Sequence, residues 1–286
     1  TWLYLLQKKL NDSTRGHKVW IGNVGKGGIN SRHHILQMRH FLKQYQSIDA
    51  VMILMGINDM FTRLARDTYY DPHFLEKRGW EDKLSLEAFS VLPVGRNLAL
   101  PYYKRAAIWH LGRKMKYRVF SPGQIQDKEG KYMINWREHR RNAVAIRDTL
   151  PDLSLALEEY SRNINTIIDM TRDASVRLIL LTQPTLWKPD LSERLKNLLA
   201  AGGIGAFRQN REREYYSVEA LAAGIRMYNE TMLRVSRMRQ VECLDLASCL
   251  SEDTTVFYDD CHFNESGAEK FAEILARYML QHGPFE

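Results

Sequence analysis

Four residues in three separate stretches of the sequence have side chains and spacing suited to acyl-transfer chemistry. Asp259 precedes His262 by three residues, so its carboxylate can accept a hydrogen bond from the imidazole and stabilise the imidazolium. Gly28 offers an unobstructed backbone N–H, and Asn58 offers a side-chain amide. Two such donors can bind the oxyanion that develops on an attacked carbonyl. These residues therefore predict a general base beside an oxyanion hole.

Each stretch also has a simpler structural interpretation. The glycines up to Gly28 could only make a turn, Asn58 could belong to a turn or helix cap, and His262 could be a surface residue that caps the last helix. The glycine run matches neither GxGxxG nor GxxxxGK[ST], which argues against a nucleotide site. Asp260 has the same chemistry as Asp259 but lies two residues from His262 instead of three, so we rank it second.

The composition is that of a globular chain. It has 286 residues, 44% of them hydrophobic, which is enough for one large α/β domain. No apolar run reaches the roughly 18 residues that a membrane-spanning helix needs. The three cysteines lack CxxC spacing, so we expect neither a disulfide framework nor a zinc site.

Positively charged residues outnumber negative ones, with 41 Lys and Arg against 34 Asp and Glu and a net charge of +7. Basic clusters occur at residues 137–147, 208–213 and 234–239, and we expect most of their side chains on solvated helix faces. Without interleaved aromatic residues they do not indicate nucleic-acid binding. An anionic polysaccharide or a membrane surface is the better partner for this charge, and four tryptophans could stack on sugars: Trp80, Trp109, Trp136 and Trp187.

Hydrophobic periodicity predicts strands that alternate with helices. Strands are predicted at residues 18–21, 48–55, 176–181 and 241–246, and helices at residues 1–10, 29–45, 153–171, 218–238 and 266–281. This alternation is typical of an α/β fold with a parallel sheet and helices on both faces. The three stretches that contain the candidate site residues follow predicted strands. Folds of this kind bind ligands at the carboxyl ends of their parallel strands.

We predict a single domain over residues 1–286, because no repeat or linker indicates a second one. The region from about residue 61 to residue 147 lacks a sustained period, so we expect an insertion there that forms a lid or subdomain. A glycine-rich segment at residues 200–206 is expected to be a mobile loop beside the site.

The three motifs, in this order, resemble those of the SGNH hydrolases, also called GDSL-type esterases and lipases. The resemblance is carried by the glycine block ending at Gly28, the G-x-N-D block at residues 56–59 and the D-x-x-H block at residues 259–262. The T-Q-P-T sequence at residues 182–185 is also similar to the sequence that the family usually has between its third and last blocks. The resemblance implies a three-layer α/β/α flavodoxin-like fold. In that fold Asp259 and His262 would be catalytic, Gly28 and Asn58 would form the oxyanion hole, and no cofactor or metal would be required.

The family's first block, a strand followed by Gly-Asp-Ser, has no counterpart in this sequence. In the family its serine is the nucleophile, and the block directly precedes a segment similar to residues 1–6. Its strand lies between the strands that we predict at residues 18–21 and 48–55. The resemblance therefore implies a first strand and a nucleophilic serine upstream of Thr1, and we assign that role to no serine of this sequence.

Together these features favour a serine esterase that cleaves a carboxylic ester through an acyl-enzyme. The substrates of the resembling family include acetylated sugars, lipids and small esters, and the charge and tryptophans favour an O-acetylated carbohydrate. The alternative is a catalytically inactive carbohydrate- or lipid-binding module on the same fold. A location outside the cytoplasm, or a membrane anchor, is expected if the upstream segment carries a signal or an anchor.

Overall fold

The computed structural model describes residues 1–14, 18–45, 47–89, 108, 109, 111, 124–205 and 213–283. Its strands are β1 (Ala50–Leu54), β2 (Ala145–Arg147), β3 (Arg177–Leu181), β4 (Glu214–Tyr216) and β5 (Glu242–Leu244). β1, β3 and β5 form a parallel sheet with β3 in the middle. β2 and β4 form a second, two-stranded parallel sheet. The chain is therefore a mixed α/β protein with parallel strands, as the alternating pattern predicts.

Helices separate these strands. They are α1 (Trp2–Ser13), α2 (Ser31–Gln44), α3 (Ile57–Arg66), α4 (Trp80–Ala88), α5 (Gln124–Arg141), α6 (Ser154–Asp173), α7 (Glu193–Lys196), α8 (Val218–Arg239), α9 (Leu246–Cys249) and α10 (Glu265–Gln281). The predictions for α6, α8 and α10 are confirmed to within two residues at each end. Among the described residues, no helix has both the length and the hydropathy needed to cross a membrane.

The register of the main sheet aligns the carboxyl ends of its strands. Leu54 at the end of β1 lies opposite Leu181 at the end of β3, and Leu181 lies opposite Leu244 at the end of β5. The loops after these three residues therefore begin at one edge of the sheet. β3 is the best-buried strand, since Ile179, Leu180 and Leu181 are fully enclosed. It anchors this edge in the core.

The helices pack in two groups. α1 packs against α10, while α2 packs against α4 and α6, and α6 packs against α8. On α6 the side chains of Tyr160, Ile164, Ile167 and Ile168 recur at helical spacing and are all buried. Full burial of an aliphatic side chain such as each of these isoleucines contributes about 1.5–3 kcal/mol to the free energy of unfolding. The apolar stripe that predicts this helix therefore also packs it against the core.

Residues 18–21 are not a strand, contrary to the prediction. The segment lies along α1, where Asn11 exchanges two hydrogen bonds with the backbone of Val19 at 2.7 and 2.9 Å. The N–H of Ile21 donates to Oε1 of Gln7 at 2.7 Å. In the described part of the chain no strand pairs with this segment. Because a backbone needs hydrogen-bond partners, side-chain amides of α1 take the place of a neighbouring strand.

The region predicted as an insertion, residues 61–147, contains the end of α3, then α4, α5 and β2. β2 pairs with β4, so this region joins residues 214–216 in the second sheet. Sequence periodicity missed both strands because three residues are too few to show an alternation. Residues 90–107, 110 and 112–123 lie outside the described residues, and the lid or subdomain stays a prediction.

The predicted mobile loop at residues 200–206 is bound to its surroundings over the part that the structure describes. The N–H of Tyr216 donates to the carbonyl of Gly202 at 2.9 Å, and the N–H of Ile204 donates to the carbonyl of Glu214 at 3.0 Å. Gly203 also forms a bridge with Tyr215. Residues 202–204 therefore extend the second sheet beyond β4.

Candidate active site

Asp259 and His262 lie on the loop before α10, and their side chains are in contact. Nδ1 of His262 lies 2.7 Å from Oδ2 and 3.0 Å from Oδ1 of Asp259. Oδ1 also accepts from the backbone N–H groups of Cys261 at 3.0 Å and His262 at 2.8 Å. An aspartate carboxylate that binds the N–H groups two and three residues ahead makes a local turn. This turn explains why the three-residue spacing brings the imidazole to the carboxylate.

The carboxylate and the imidazole raise each other's preference for the charged form. The hydrogen bond that His262 donates to Asp259 is the largest cause that raises the pKa of His262 above its usual 6.5, and burial opposes it. Burial would raise the pKa of Asp259, but the hydrogen bond and charge of His262, with the backbone N–H groups, hold that pKa below its usual value. The pair is therefore arranged to stabilise an imidazolium.

The imidazole of His262 is presented to solvent. Its side chain is 61% exposed, whereas that of Asp259 is 2% exposed. The ring of Tyr258 stacks against it with centroids 5.7 Å apart. Because Asp259 accepts the Nδ1 proton, the neutral ring has its lone pair on Nε2, which makes no hydrogen bond within the described residues. Nε2 can therefore accept a proton from a group outside this loop.

His262 does not cap the last helix. The N-cap of α10 is Asn264, whose side chain accepts from the N–H of Gly267 at 2.8 Å. The capping interpretation of His262 is therefore wrong.

Asn58 lies beside Ile29, the residue that follows Gly28. Asn58 is in the first turn of α3, directly after β1, and its Nδ2 donates to the carbonyl of Ile29 at 2.9 Å. One of its two amide hydrogens is used in this way, and the other remains available. Gly28 is exposed and has φ +81°, and outside its two chain neighbours no atom lies within 4 Å of the position that a Cβ would occupy. The bond from Asn58 to Ile29 therefore places the Asn58 amide next to the segment that contains Gly28.

One aromatic contact and one hydrogen bond, both made by Trp187, connect the Asn58 helix to the His262 loop. Phe61, one turn after Asn58 on α3, packs edge-on against Trp187 with ring centroids 5.9 Å apart. Nε1 of Trp187 donates to Oδ1 of Asp260 at 2.9 Å. Trp187 is only 1% exposed, so its predicted use as a sugar-stacking surface is wrong, and so is that of the buried Trp80.

Asp260 has a structural role that the sequence analysis missed. Its carboxylate does not contact His262 but accepts hydrogen bonds from Trp187 and from the N–H groups of Ala200 at 2.7 Å and Ala201 at 3.1 Å. Burial raises its pKa. No local sequence signal could have shown this, because its partners lie 59 to 73 residues away. Asp260 therefore binds the loop that carries His262 to the glycine-rich segment.

Two arginines of α5 bind the loop that carries His262 and the segment near residue 200. The sequence analysis expected most side chains of this basic cluster on solvated helix faces. Arg137 donates to the carbonyls of Leu198 at 3.0 Å and Tyr258 at 2.7 Å. Arg140 is buried and donates to the carbonyls of Ala201 and Tyr216, and burial lowers its pKa. α5 is thereby bound to the loop that carries His262.

One group of side chains in the described residues could hold a metal ion. Ligand atoms of Asp259, Cys261 and His262 lie within 4.8 Å of one another. Burial raises the pKa of the Cys261 thiol well above its usual value, and metals bind the thiolate. A cation here would also replace the hydrogen bond between Asp259 and His262. The geometry thus favours the hydrogen-bonded pair, and the expectation that no metal is required stays a prediction.

The structure is that of a mixed α/β protein in which Asp259 binds His262 on one loop and the Asn58 amide binds the carbonyl of Ile29, the residue after Gly28. Comparison of the sequence with protein families and with curated proteins finds no match in either. What the site can do is therefore argued from its residues and their geometry.

Proposed function

We propose that this protein is a serine esterase of the SGNH type that cleaves a carboxylic ester through an acyl-enzyme. The observation that carries the proposal is the contact of the buried Asp259 carboxylate with Nδ1 of the exposed His262. A general base needs this arrangement, because the carboxylate sets the tautomer and stabilises the charge that forms on the ring. The fold proposed with it is the three-layer α/β/α arrangement of that family.

In the proposed mechanism, Nε2 of His262 takes the proton of a serine hydroxyl as the serine oxygen attacks the ester carbonyl. The N–H of Gly28 and the free amide hydrogen of Asn58 bind the oxyanion of the tetrahedral intermediate, and each such donor lowers the barrier by on the order of 3 kcal/mol. His262 then gives its proton to the leaving alcohol. Water attacks the acyl-enzyme in the same way and releases the acid and the serine.

The proposed nucleophile is a serine upstream of Thr1, on a strand that pairs with the free edge of β1. In the described chain β1 pairs on one side only, with β3, so its other edge can take a strand. Ser31, the serine nearest to Gly28 in sequence, is fully buried, and its hydroxyl donates to Asp59. A buried and bound hydroxyl cannot attack a substrate, which supports a nucleophile from elsewhere.

The proposed substrate is a small ester or an acylated glycan. The net charge of +7 favours a glycan that carries negative charge. Of the four tryptophans considered for sugar stacking, Trp109 is 42% exposed.

Labelling with a fluorophosphonate serine probe tests the proposal, using the full-length protein with its upstream residues. Mass spectrometry is expected to find one adduct, on a serine N-terminal to Thr1, which is lost in His262→Ala. His73→Ala is a matched control, because Nδ1 of His73 also binds a carboxylate three residues away, that of Glu76 at 2.8 Å. No adduct on the folded full-length protein would contradict the esterase proposal. It would favour the inactive carbohydrate- or lipid-binding module.

A further inference from the structure

Asp59, the residue after Asn58, binds the first residue of α2 through a buried contact. The N–H of Ser31 lies 3.1 Å from Oδ1 and 3.2 Å from Oδ2 of Asp59, and the Ser31 hydroxyl donates to Oδ1 at 2.5 Å. Ser31 is 0% exposed and Asp59 8% exposed. This contact joins the residue after Asn58 to the segment that begins with Gly28.

Two further polar contacts join the same elements. Nδ2 of Asn163, on α6, donates to the Ser31 hydroxyl oxygen at 2.8 Å. The Thr62 hydroxyl accepts from Nδ2 of Asn30 at 2.9 Å and donates to the carbonyl of Asn58 at 2.7 Å. With the bond from Asn58 to Ile29, three consecutive residues before and in α2 are bound to the first turns of α3.

The Asp59 carboxylate lies where the N-termini of two helices meet. Ser31 is the first residue of α2, and Asp59 is in the first turn of α3. Helix N-termini favour negative charge through their free N–H groups and their dipoles, but burial outweighs the hydrogen bonds from Ser31 and raises the pKa of Asp59 to about 7. Arg32 makes a buried pair with Glu159, with Nε to Oε1 at 2.6 Å and Nη2 to Oε2 at 2.7 Å. Any relative shift of α2 and α3 would leave buried donors of this layer unpaired.

We propose that Asp59 and Ser31 are positioning residues of the oxyanion hole: their hydrogen bonds fix the distance and angle between the Gly28 N–H and the Asn58 amide. Neither residue touches the substrate, since both are buried behind the donors. The inference rests on the proposed esterase function, because an oxyanion hole has meaning only for that reaction. Oxyanion donors act by preorganisation, so a small displacement of either donor lowers turnover.

Ser31→Ala tests the inference in the full-length protein. It removes the hydroxyl bond to Asp59 and the acceptor of the Asn163 amide, and it leaves the N–H bond and both donors in place. The expected result is a kcat for p-nitrophenyl acetate that is lower by about 10- to 100-fold, with KM within about twofold. The NMR signals of the Gly28 backbone amide and the Asn58 side-chain amide are expected to move together. Asp59→Asn is a second variant with the same expected direction.

Ser154→Ala is the matched control. Ser154 is also the first residue of a helix, α6, and both its N–H, at 2.9 Å, and its hydroxyl bind the carboxylate of Asp152. This pair is exposed, so the control removes the same kind of bond outside the site. Its kcat and the two NMR signals are expected to equal those of the parent protein.

The outcomes separate the inference from the proposed function. A kcat or NMR response in Ser31→Ala no larger than in Ser154→Ala would overturn the inference while the parent remains an esterase. A folded parent that hydrolyses no ester would overturn the proposed function, and the inference with it. If Asp59→Asn fails to fold, the result for Ser31→Ala decides.

Discussion

The carboxylate of Asp259 is buried beneath the imidazole that it binds: the Asp259 side chain is 2% exposed, and that of His262 is 61% exposed, with Oδ2 and Nδ1 2.7 Å apart. A carboxylate enclosed in this way cannot rotate toward solvent, because its Oδ1 is also bound to two backbone N–H groups. The imidazole is therefore held from one side and left open on the other, where a proton donor can approach.

Replacing His262 separates catalysis from stability. His262→Ala is expected to lower esterase turnover by about 10²- to 10⁴-fold, because the general base is lost. Its Tm is expected to change little, since the ring is mostly exposed. His73→Ala, which removes a similar exposed pair with Glu76, is expected to leave turnover unchanged. A large fall in Tm with intact activity would reject the role of His262 as a base.

Removing the amide of Asn58 tests the oxyanion hole. Asn58→Ala is expected to lower kcat by about 10²- to 10³-fold, because the donor acts mainly in the transition state. Asn165→Ala is the control, since its amide also donates to a backbone carbonyl, that of Ser161 at 2.8 Å. A change confined to KM would assign Asn58 to ground-state binding instead.

The pH dependence of hydrolysis reports on the Asp259–His262 pair. The base must be neutral, so kcat/KM is expected to rise with pH through the pKa of His262, which Asp259 raises above 6.5. In Asp259→Asn the raising hydrogen bond and charge are removed. The midpoint is then expected to move to lower pH, and the maximal rate to fall. A midpoint that stays in place or moves upward would show that Asp259 does not set this pKa.

Asp260 is expected to stabilise the fold, whereas Asp259 is proposed to take part in the reaction. Asp260→Asn leaves the buried Arg140 with less opposing charge and disturbs the bonds to Trp187 and Ala200. Loss of one partner of such a buried group costs about 3–5 kcal/mol of unfolding free energy, measurable by urea denaturation. Asp152→Asn, at an exposed carboxylate, is the control and is expected to change stability much less, because water screens an exposed charge. Equal effects of the two variants would contradict the role given to Asp260.

Stability is expected to fall as pH rises between about 4 and 7, because of Asp59. Burial raises its pKa from 3.8 to about 7, against the hydrogen bonds from Ser31. The native state therefore keeps a proton that the unfolded state has lost, and the difference over this range corresponds to about 4 kcal/mol. Urea denaturation at several pH values is expected to show a smaller fall in Asp59→Asn. Identical pH profiles of the two proteins would exclude Asp59 as the cause.

The sequence by itself determined the features that depend on neighbours along the chain. The spacing of Asp259 and His262 predicts their contact, because a carboxylate that binds N–H groups two and three residues ahead needs no distant partner. The periodicity of α6 and α8 predicts those helices to within two residues. In each helix the apolar residues repeat at the 3.6-residue spacing that places them on one buried face. The alternation of strands and helices likewise predicts the mixed α/β class.

Only the tertiary structure decided which distant groups meet. Residues 18–21 have the composition of a strand, yet their backbone is bound by Asn11 and Gln7 of α1. Asp259 and Asp260 are adjacent and chemically alike, but one carboxylate binds His262 and the other Trp187. Strand pairing and the partner of a buried charge depend on hydrogen-bond donors brought together by packing, which sequence spacing does not encode.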